Sequence, residues 1–75
     1  MTGDTKYIPV GSCARVLVPI ADNERVIGEA VLVADYIPGV FYCYKITFSE
    51  PHQFGPFVLR TVYVPASSLE VIPDA

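Results

Sequence analysis

The chain has 75 residues, which predicts a single domain over residues 1–75, and 52% of them are hydrophobic while only 17% are charged. Average soluble domains contain about 45–50% apolar and about 25% charged residues, so we expect part of this apolar surface to face another protein. The net charge of −3 and the isolated basic residues speak against nucleic-acid binding and against a polybasic contact with a membrane.

Prolines and glycines divide the chain into short stretches that are rich in β-branched and aromatic residues, a pattern typical of several short strands. The first predicted strand covers residues 13–18, and a loop with turn-forming residues follows at 20–24. The second and longest predicted strand covers residues 25–34, and Gly28 inside it indicates a bend or a bulge.

A turn is predicted over residues 37–40, because Pro38 and Gly39 suit the two central positions of a type II turn. The third predicted strand covers residues 41–48. The turn-forming residues that follow at 49–56 predict a loop.

The fourth predicted strand covers residues 57–64, and Pro65 ends it. Residues 66–68 leave room only for a single 3₁₀ turn. A short fifth strand is predicted over residues 69–72, so the elements add up to an all-β domain of five strands with a 3₁₀ turn before the last one.

This order of elements resembles the SH3-like barrel. The most specific part is residues 62–72, where a strand runs into a proline-initiated 3₁₀ turn and a closing strand with Glu70 among apolar residues. The resemblance extends over residues 11–72, flanked by expected flexible tails at 1–6 and 73–75. The rival fold is an OB-like barrel, which normally needs a longer chain and a helix between strands.

The end of the chain also resembles the plasmid-borne type II dihydrofolate reductases. These enzymes are small SH3-like barrels that assemble as tetramers around a pore in which NADPH and dihydrofolate bind. The scaffold positions of that family match at Pro65, Leu69, Glu70 and Ile72. The resemblance implies a related fold and a tendency to oligomerise.

The functional positions of the reductase family are not matched. The family's glutamine falls on Val62 and its tyrosine on Val64, and a valine side chain has no hydrogen-bonding atom. The basic residue that the family places near its first strand is also missing, because Leu17, Val18 and Pro19 stand in that region. The comparison therefore argues against reductase activity.

Three residues are candidates for reaction chemistry. His52, the only histidine, falls in a predicted loop without a partner pattern and is interpreted as an exposed surface residue rather than a general base. Cys13 and Cys43 are interpreted as buried small apolar residues, with a disulfide as the alternative. We predict no catalytic residue, no metal site and no cofactor.

The sequence also predicts where the protein is found. Its first residues are polar, and no apolar run approaches the roughly 18 residues of a membrane span. Isolated cysteines are typical of a reducing compartment. We therefore expect a cytoplasmic protein without a membrane partner.

Aromatic residues divide between the core and a ligand site. Alternation along the third strand assigns four residues to the core: Tyr42, Tyr44, Ile46 and Phe48. The aromatic residues in or beside predicted loops are candidates for partner binding, because SH3-like barrels bind ligands there. These candidates are Tyr36, Phe54 and Phe57.

Charged residues predict which face of the sheet meets solvent. Arg25 and Glu29 fall on the same face of the second predicted strand, and Arg60 falls on the same face of the fourth as three valines. If the charged residues face solvent, the aliphatic residues on the same faces are predicted to be exposed as well. A bulge would reverse this assignment. The candidate residues of this oligomer interface are Ile27, Val31, Val33, Val58, Val62 and Val64.

Three functions follow from these patterns. The favoured one is a non-enzymatic interaction module that self-associates or docks on a partner protein through the aliphatic face. The alternative is an oligomeric small-molecule-binding protein or enzyme whose site lies at a subunit interface. A nucleic-acid-binding barrel is the least favoured because of the negative charge.

Overall fold

The computed structural model describes residues 7–73, and in it five strands form one antiparallel sheet. The strands are β1 (Cys13–Val16), β2 (Ala30–Tyr36), β3 (Tyr44–Phe54), β4 (Phe57–Val64) and β5 (Leu69–Val71). Their order in the sheet is β4-β3-β2-β1-β5, so that β4 and β5 form its two edges. The predicted all-β class with five strands is confirmed.

Between residues 7 and 73, helical structure is limited to two short 3₁₀ turns, Glu24–Val26 and Ala66–Ser68. The second of them lies where the sequence predicts it, directly before β5, and β4 also has the predicted bounds. No helix among residues 7–73 has the length and apolarity needed to cross a membrane. Residues 1–6 and 74–75, which belong to the predicted tails, lie outside the described residues.

The predicted loop at 49–56 is wrong, because β3 continues to Phe54 and only Gly55 and Pro56 separate it from β4. Gly55 has a φ of 61°, which glycine accepts at the first position of a two-residue hairpin turn. The register between β3 and β4 shifts between Thr47 and His52. This irregular stretch gives Pro51 a place inside the strand, since bulges tolerate the missing N–H group.

The start of β2 also differs from the prediction. The segment expected as the first part of the strand folds into the 3₁₀ turn Glu24–Val26, and Asn23 caps it: its side-chain Oδ1 accepts a hydrogen bond from the backbone N–H of Arg25 at 2.8 Å. Gly28 then adopts a φ of 90°. Gly28 therefore lies before the strand and changes the direction of the chain, and β2 begins at Ala30.

The core collects the buried side chains of one face of the sheet and of the segments that pack against it. Tyr44 of β3 connects the sheet to the segment before β1, because its hydroxyl accepts a hydrogen bond from the buried backbone N–H of Ile8 at 2.8 Å. The core residues are Ile8, Ala14, Val16, Val26, Val31, Val33, Tyr44, Ile46, Phe48, Phe54, Val64 and Leu69.

The predicted outward face of β2 is wrong. Val31 and Val33 are 3% and 0% exposed and belong to the core, whereas Ile27 is exposed. The prediction counted parity from Arg25 through a continuous strand, but Arg25 lies in a 3₁₀ turn and Gly28 redirects the chain. Strand alternation therefore does not extend from Arg25 to Val31.

The predicted outward face of β4 is only partly exposed. Val58 is exposed, Val62 is half-buried against the core, and Val64 is buried, so its assignment to an outer face is wrong. Arg60 shares the parity of these valines, but its Nε donates a hydrogen bond to the carbonyl oxygen of Phe48 at 3.2 Å. Residues 57–60 are exposed at both parities and only Val64 of β4 is buried, so the exposure of Arg60 did not mark a solvent face for the whole strand.

The predicted core of β3 is confirmed for Tyr44, Ile46 and Phe48, which are at most 1% exposed. Tyr42 is 59% exposed and its assignment to the core is wrong. The reason is that β3 begins at Tyr44, where the pairing with Tyr36 of β2 starts. Tyr42 lies in the bend before the strand and leaves the alternation.

Candidate protein-interaction site

Exposed aromatic rings surround a cleft of about 230 Å³ beside the second 3₁₀ turn. The cleft lies between the loop after β1, the bend before β3 and the end of β4, and all its lining residues are uncharged. We call it the aromatic cleft. Its lining residues are Pro19, Ile20, Ala21, Phe41, Tyr42, Tyr63, Val64, Pro65 and Ser68.

The three aromatic side chains of the cleft are all exposed. Phe41 is 70% exposed, Tyr42 59% and Tyr63 45%. The rings of Phe41 and Tyr42 meet edge to face, with centroids 5.0 Å apart and an angle of 88° between their planes. This contact arranges the two rings relative to each other before any ligand binds.

Backbone hydrogen bonds hold the bend that carries Phe41 and Tyr42. The preceding turn contains Gly39 with a φ of 88°, as a type II turn requires at its second central position. The N–H of Ile37 donates to the carbonyl oxygen of Cys43 at 2.8 Å and closes the bend at its base. The sequence predicted this turn, and the structure shows that it presents the two aromatic residues.

The opposite walls of the cleft are connected to each other. The N–H of Leu17, directly after β1, donates to the carbonyl oxygen of Ser68 at 2.8 Å, and the N–H of Ser68 donates to the carbonyl oxygen of Pro65 at 3.0 Å. Ser68 is itself buried at 6% exposure. The loop after β1 and the second 3₁₀ turn are thereby fixed at the floor of the cleft.

The loop after β1 has a strained tip. Ala21 and Asp22 have φ values of 47° and 66°, and the N–H groups of Ile20 and Asn23 donate to each other's carbonyl oxygens. A left-handed conformation costs a residue other than glycine roughly 1–2 kcal/mol. Asn23 stabilises the tip, because its Nδ2 donates to the carbonyl oxygen of Gln53 at 2.8 Å. Backbone strain of this kind often occurs at functional sites.

A larger, open hollow of about 560 Å³ lies at the same loop and carries charged residues but no aromatic ring. Its amide side chains already have partners: Asn23 binds the carbonyl oxygen of Gln53, and Gln53 Nε2 donates to that of Gly55 at 2.7 Å. These groups are therefore occupied in holding the hairpin. The aromatic cleft is the better candidate for binding.

The three predicted partner-binding residues do not form a common site. Phe54 is 4% exposed and packs in the core against Phe48, with ring centroids 5.6 Å apart, so its prediction as an exposed loop residue is wrong. Tyr36 pairs with the start of β3, whereas Phe57 pairs with its end. The Tyr36 ring contacts Tyr7 and Tyr44. Phe57 is exposed at the hairpin turn.

His52 lies on β3 and is half-buried, with 19% of its side chain exposed, so its prediction as an exposed loop residue is wrong. Its ring meets Phe48 edge to face at 4.9 Å and also contacts Phe54. Its Nε2 lies 3.7 Å from Oε1 of Glu29 and has no hydrogen-bond partner within residues 7–73. These contacts give His52 a packing role.

Both cysteines are free thiols, Cys13 exposed and Cys43 half-buried. The prediction that both are buried is wrong for Cys13, because it pairs with Leu32 on the exposed face of the sheet. Across residues 7–73, no group of three or more histidine, cysteine and acidic residues is placed to hold a metal ion. The positions that the reductase family uses for binding carry the apolar side chains of Val62 and Val64, which pack against or in the core.

No protein-family model matches the chain, and no curated protein and no solved structure is significantly similar to it. The function is therefore inferred from the residues of the chain and from their arrangement.

Proposed function

We propose that the protein is a non-enzymatic interaction module of the SH3-like kind that binds an extended, uncharged peptide segment of a partner protein in the aromatic cleft. The observation that carries this proposal is the clustering of Phe41, Tyr42 and Tyr63, all strongly exposed, around one uncharged cleft. Exposed apolar patches usually bind another molecule, and aromatic residues are enriched at protein interfaces.

The chemistry of the walls indicates the ligand. Pro19, Ile20 and Pro65 offer apolar contacts, and the hydroxyl groups of Tyr42 and Tyr63 are able to donate hydrogen bonds to a peptide carbonyl. Small-molecule sites usually occupy about 300–1,000 Å³, and the cleft, at about 230 Å³, is smaller. It suits one or two proline or aliphatic side chains of an extended chain better than a whole cofactor.

The pairing of β1 with both β2 and β5, together with the 3₁₀ turn before β5, supports the SH3-like assignment. The free thiols of Cys13 and Cys43 fit the reducing conditions of the cytoplasm, which we propose as the location.

The proposal is tested by selecting ligands from a library of random peptides displayed on phage. We expect the selected peptides to be rich in proline and aliphatic residues. Phe41→Ala and Tyr42→Ala should weaken their binding by about tenfold or more, because central aromatic residues dominate interface energies. Phe57→Ala is the matched control, since Phe57 is 61% exposed but lies at the β3–β4 hairpin.

Isothermal titration calorimetry with the selected peptides measures these differences. Peptides that bind the wild type and the two cleft variants with equal affinity would show that the cleft is not the site. A library that yields no binder to the folded wild-type protein would also reject the proposal.

A further inference from the structure

The two edges of the sheet differ in how they are protected against pairing with another strand. β5 is three residues long, carries Glu70 and is followed by Pro73. Short length, a charged side chain and a nearby proline are the usual devices that prevent edge-to-edge association. The β5 edge is therefore protected.

The β4 edge lacks these devices. β4 is eight residues long and contains no proline. The side chain of its one charged residue, Arg60, is directed toward β3, since its Nε donates a hydrogen bond to the carbonyl oxygen of Phe48. Val58 and Leu59 beside it are 63% and 39% exposed. Within residues 7–73, β3 is the only strand that pairs with β4, so the outer backbone groups of β4 are open to another strand.

We propose that β4 pairs in an antiparallel arrangement with β4 of a second copy of the chain, so that the two sheets join into one. This dimer goes beyond the proposed function, because it is formed by the backbone of the open edge, and only two residues of the aromatic cleft, Tyr63 and Val64, lie on β4. A two-fold axis makes the contact self-complementary and closes it at two subunits.

The charge of Arg60 selects the register. In a two-fold antiparallel pair, one residue faces its own copy, and the longest overlaps place either Arg60 or Thr61 at that position. The Arg60 register places the two Arg60 residues directly opposite each other, and like charges at facing positions are destabilising. The Thr61 register avoids this contact and pairs residues 58–64 of both chains.

The Thr61 register also gives favourable neighbours across the new pair of strands. Thr61 faces Thr61 of the other copy, and Leu59 faces Tyr63. Arg60 lies opposite Val62, away from the second guanidinium group. Threonine pairs and aromatic–aliphatic pairs are stabilising in antiparallel sheets. A second copy therefore fits this edge without any unfavourable charge contact.

The existence of the dimer is tested by sedimentation equilibrium over a wide range of protein concentrations. One strand per subunit makes a small interface, below about 1,200 Å², so we expect a reversible monomer–dimer equilibrium. Leu59→Lys should raise the dissociation constant at least about tenfold, because a lysine at the edge disfavours strand pairing. Leu32→Lys is the matched control, since Leu32 is 46% exposed but lies on the central strand β2.

Two results would overturn the proposal. One is a wild-type protein that stays monomeric at every concentration. The other is a dimer that Leu32→Lys dissociates and Leu59→Lys leaves intact, because such a dimer would associate through the face of the sheet. Circular dichroism verifies that each variant is folded.

The register is tested by oxidative cross-linking in a background in which Cys13 and Cys43 are replaced by alanine. Facing residues of antiparallel strands have Cα atoms about 4.5 or 5.5 Å apart, which lies within the reach of a disulfide. Thr61→Cys should therefore cross-link two chains efficiently. An equimolar mixture of Phe57→Cys and Tyr63→Cys should cross-link poorly, because these two positions face each other only in the Arg60 register and Arg60 itself is retained. Preferential cross-linking in the mixture would overturn the register, and absence of cross-linking among all the folded variants would overturn edge pairing.

Discussion

The hydroxyl group of Tyr44 offers the sharpest test of how the segment before β1 is held. It accepts a hydrogen bond from the backbone N–H of Ile8 at 2.8 Å, and both residues are almost completely buried. The substitution Tyr44→Phe removes this acceptor and leaves the ring in place. The ring contact with Tyr36, at a centroid distance of 5.0 Å, is retained, so the substitution isolates one hydrogen bond.

The expected loss of stability follows from the burial of the N–H group. A buried donor that loses its partner costs about 1–3 kcal/mol. A domain of this size changes its melting temperature by about 4–8 °C per kcal/mol, so the midpoint should fall by roughly 5–20 °C. The expected loss is a large part of the free energy of unfolding, since the single core of a small domain provides only about 3–5 kcal/mol.

Thermal and urea unfolding followed by circular dichroism measure this loss. Tyr42→Phe is the control: it removes the same hydroxyl from a tyrosine that is 59% exposed, and should change the free energy of unfolding by less than about 0.5 kcal/mol. If Tyr44→Phe were as stable as Tyr42→Phe, the hydrogen bond to Ile8 would not hold the segment and the reasoning would be refuted.

Two further substitutions test local features by the same unfolding measurements. His52→Ala should destabilise the domain by about 1–2 kcal/mol, because it removes ring contacts with Phe48 and Phe54; an unchanged midpoint would contradict the packing role. Ala21→Gly should stabilise it by about 0.5 kcal/mol, because glycine accepts the φ of 47° without strain. A destabilised Ala21→Gly variant would show that the left-handed conformation is not costly here.

The sequence predicted those parts of the fold that local signals determine. β4 and the second 3₁₀ turn have their predicted bounds because Pro65 ends the strand and the next residues leave room for one turn only. The hairpin of β3 and β4 was missed because Pro51 and its neighbours favour a loop. The pairing of Gln53 with Val58 across the hairpin overrides this preference, and a bulge accommodates the proline.

The faces of the sheet were less predictable, because a single shift of register exchanges them. The register between β2 and β3 shifts between Val33 and Asp35, and no local signal marks this position. The start of β2 was misplaced for a related reason. Arg25, Val26 and Ile27 have the composition of a strand, but the cap from Asn23 turns this segment into a 3₁₀ turn.

The candidate site followed only in part from the sequence. The turn that presents Phe41 and Tyr42 was predicted, but these two residues were placed in a strand. Their exposure depends on where the pairing of Tyr36 with Tyr44 begins, which is a non-local property. The prediction that loops beside the strands carry exposed aromatic residues pointed to the right kind of site and to the wrong residues.

The pairing of β1 with β5 has a consequence for folding during protein synthesis. Ala14 pairs with Val71, so β1 obtains its outer neighbour only when β5 has emerged from the ribosome. Until then β1 is a second unprotected edge, and the nascent chain exposes Val16 and Ala14 to its surroundings. Non-local pairing of this kind forms slowly, so we expect β1 to be the last of the three inner strands to gain both of its neighbours.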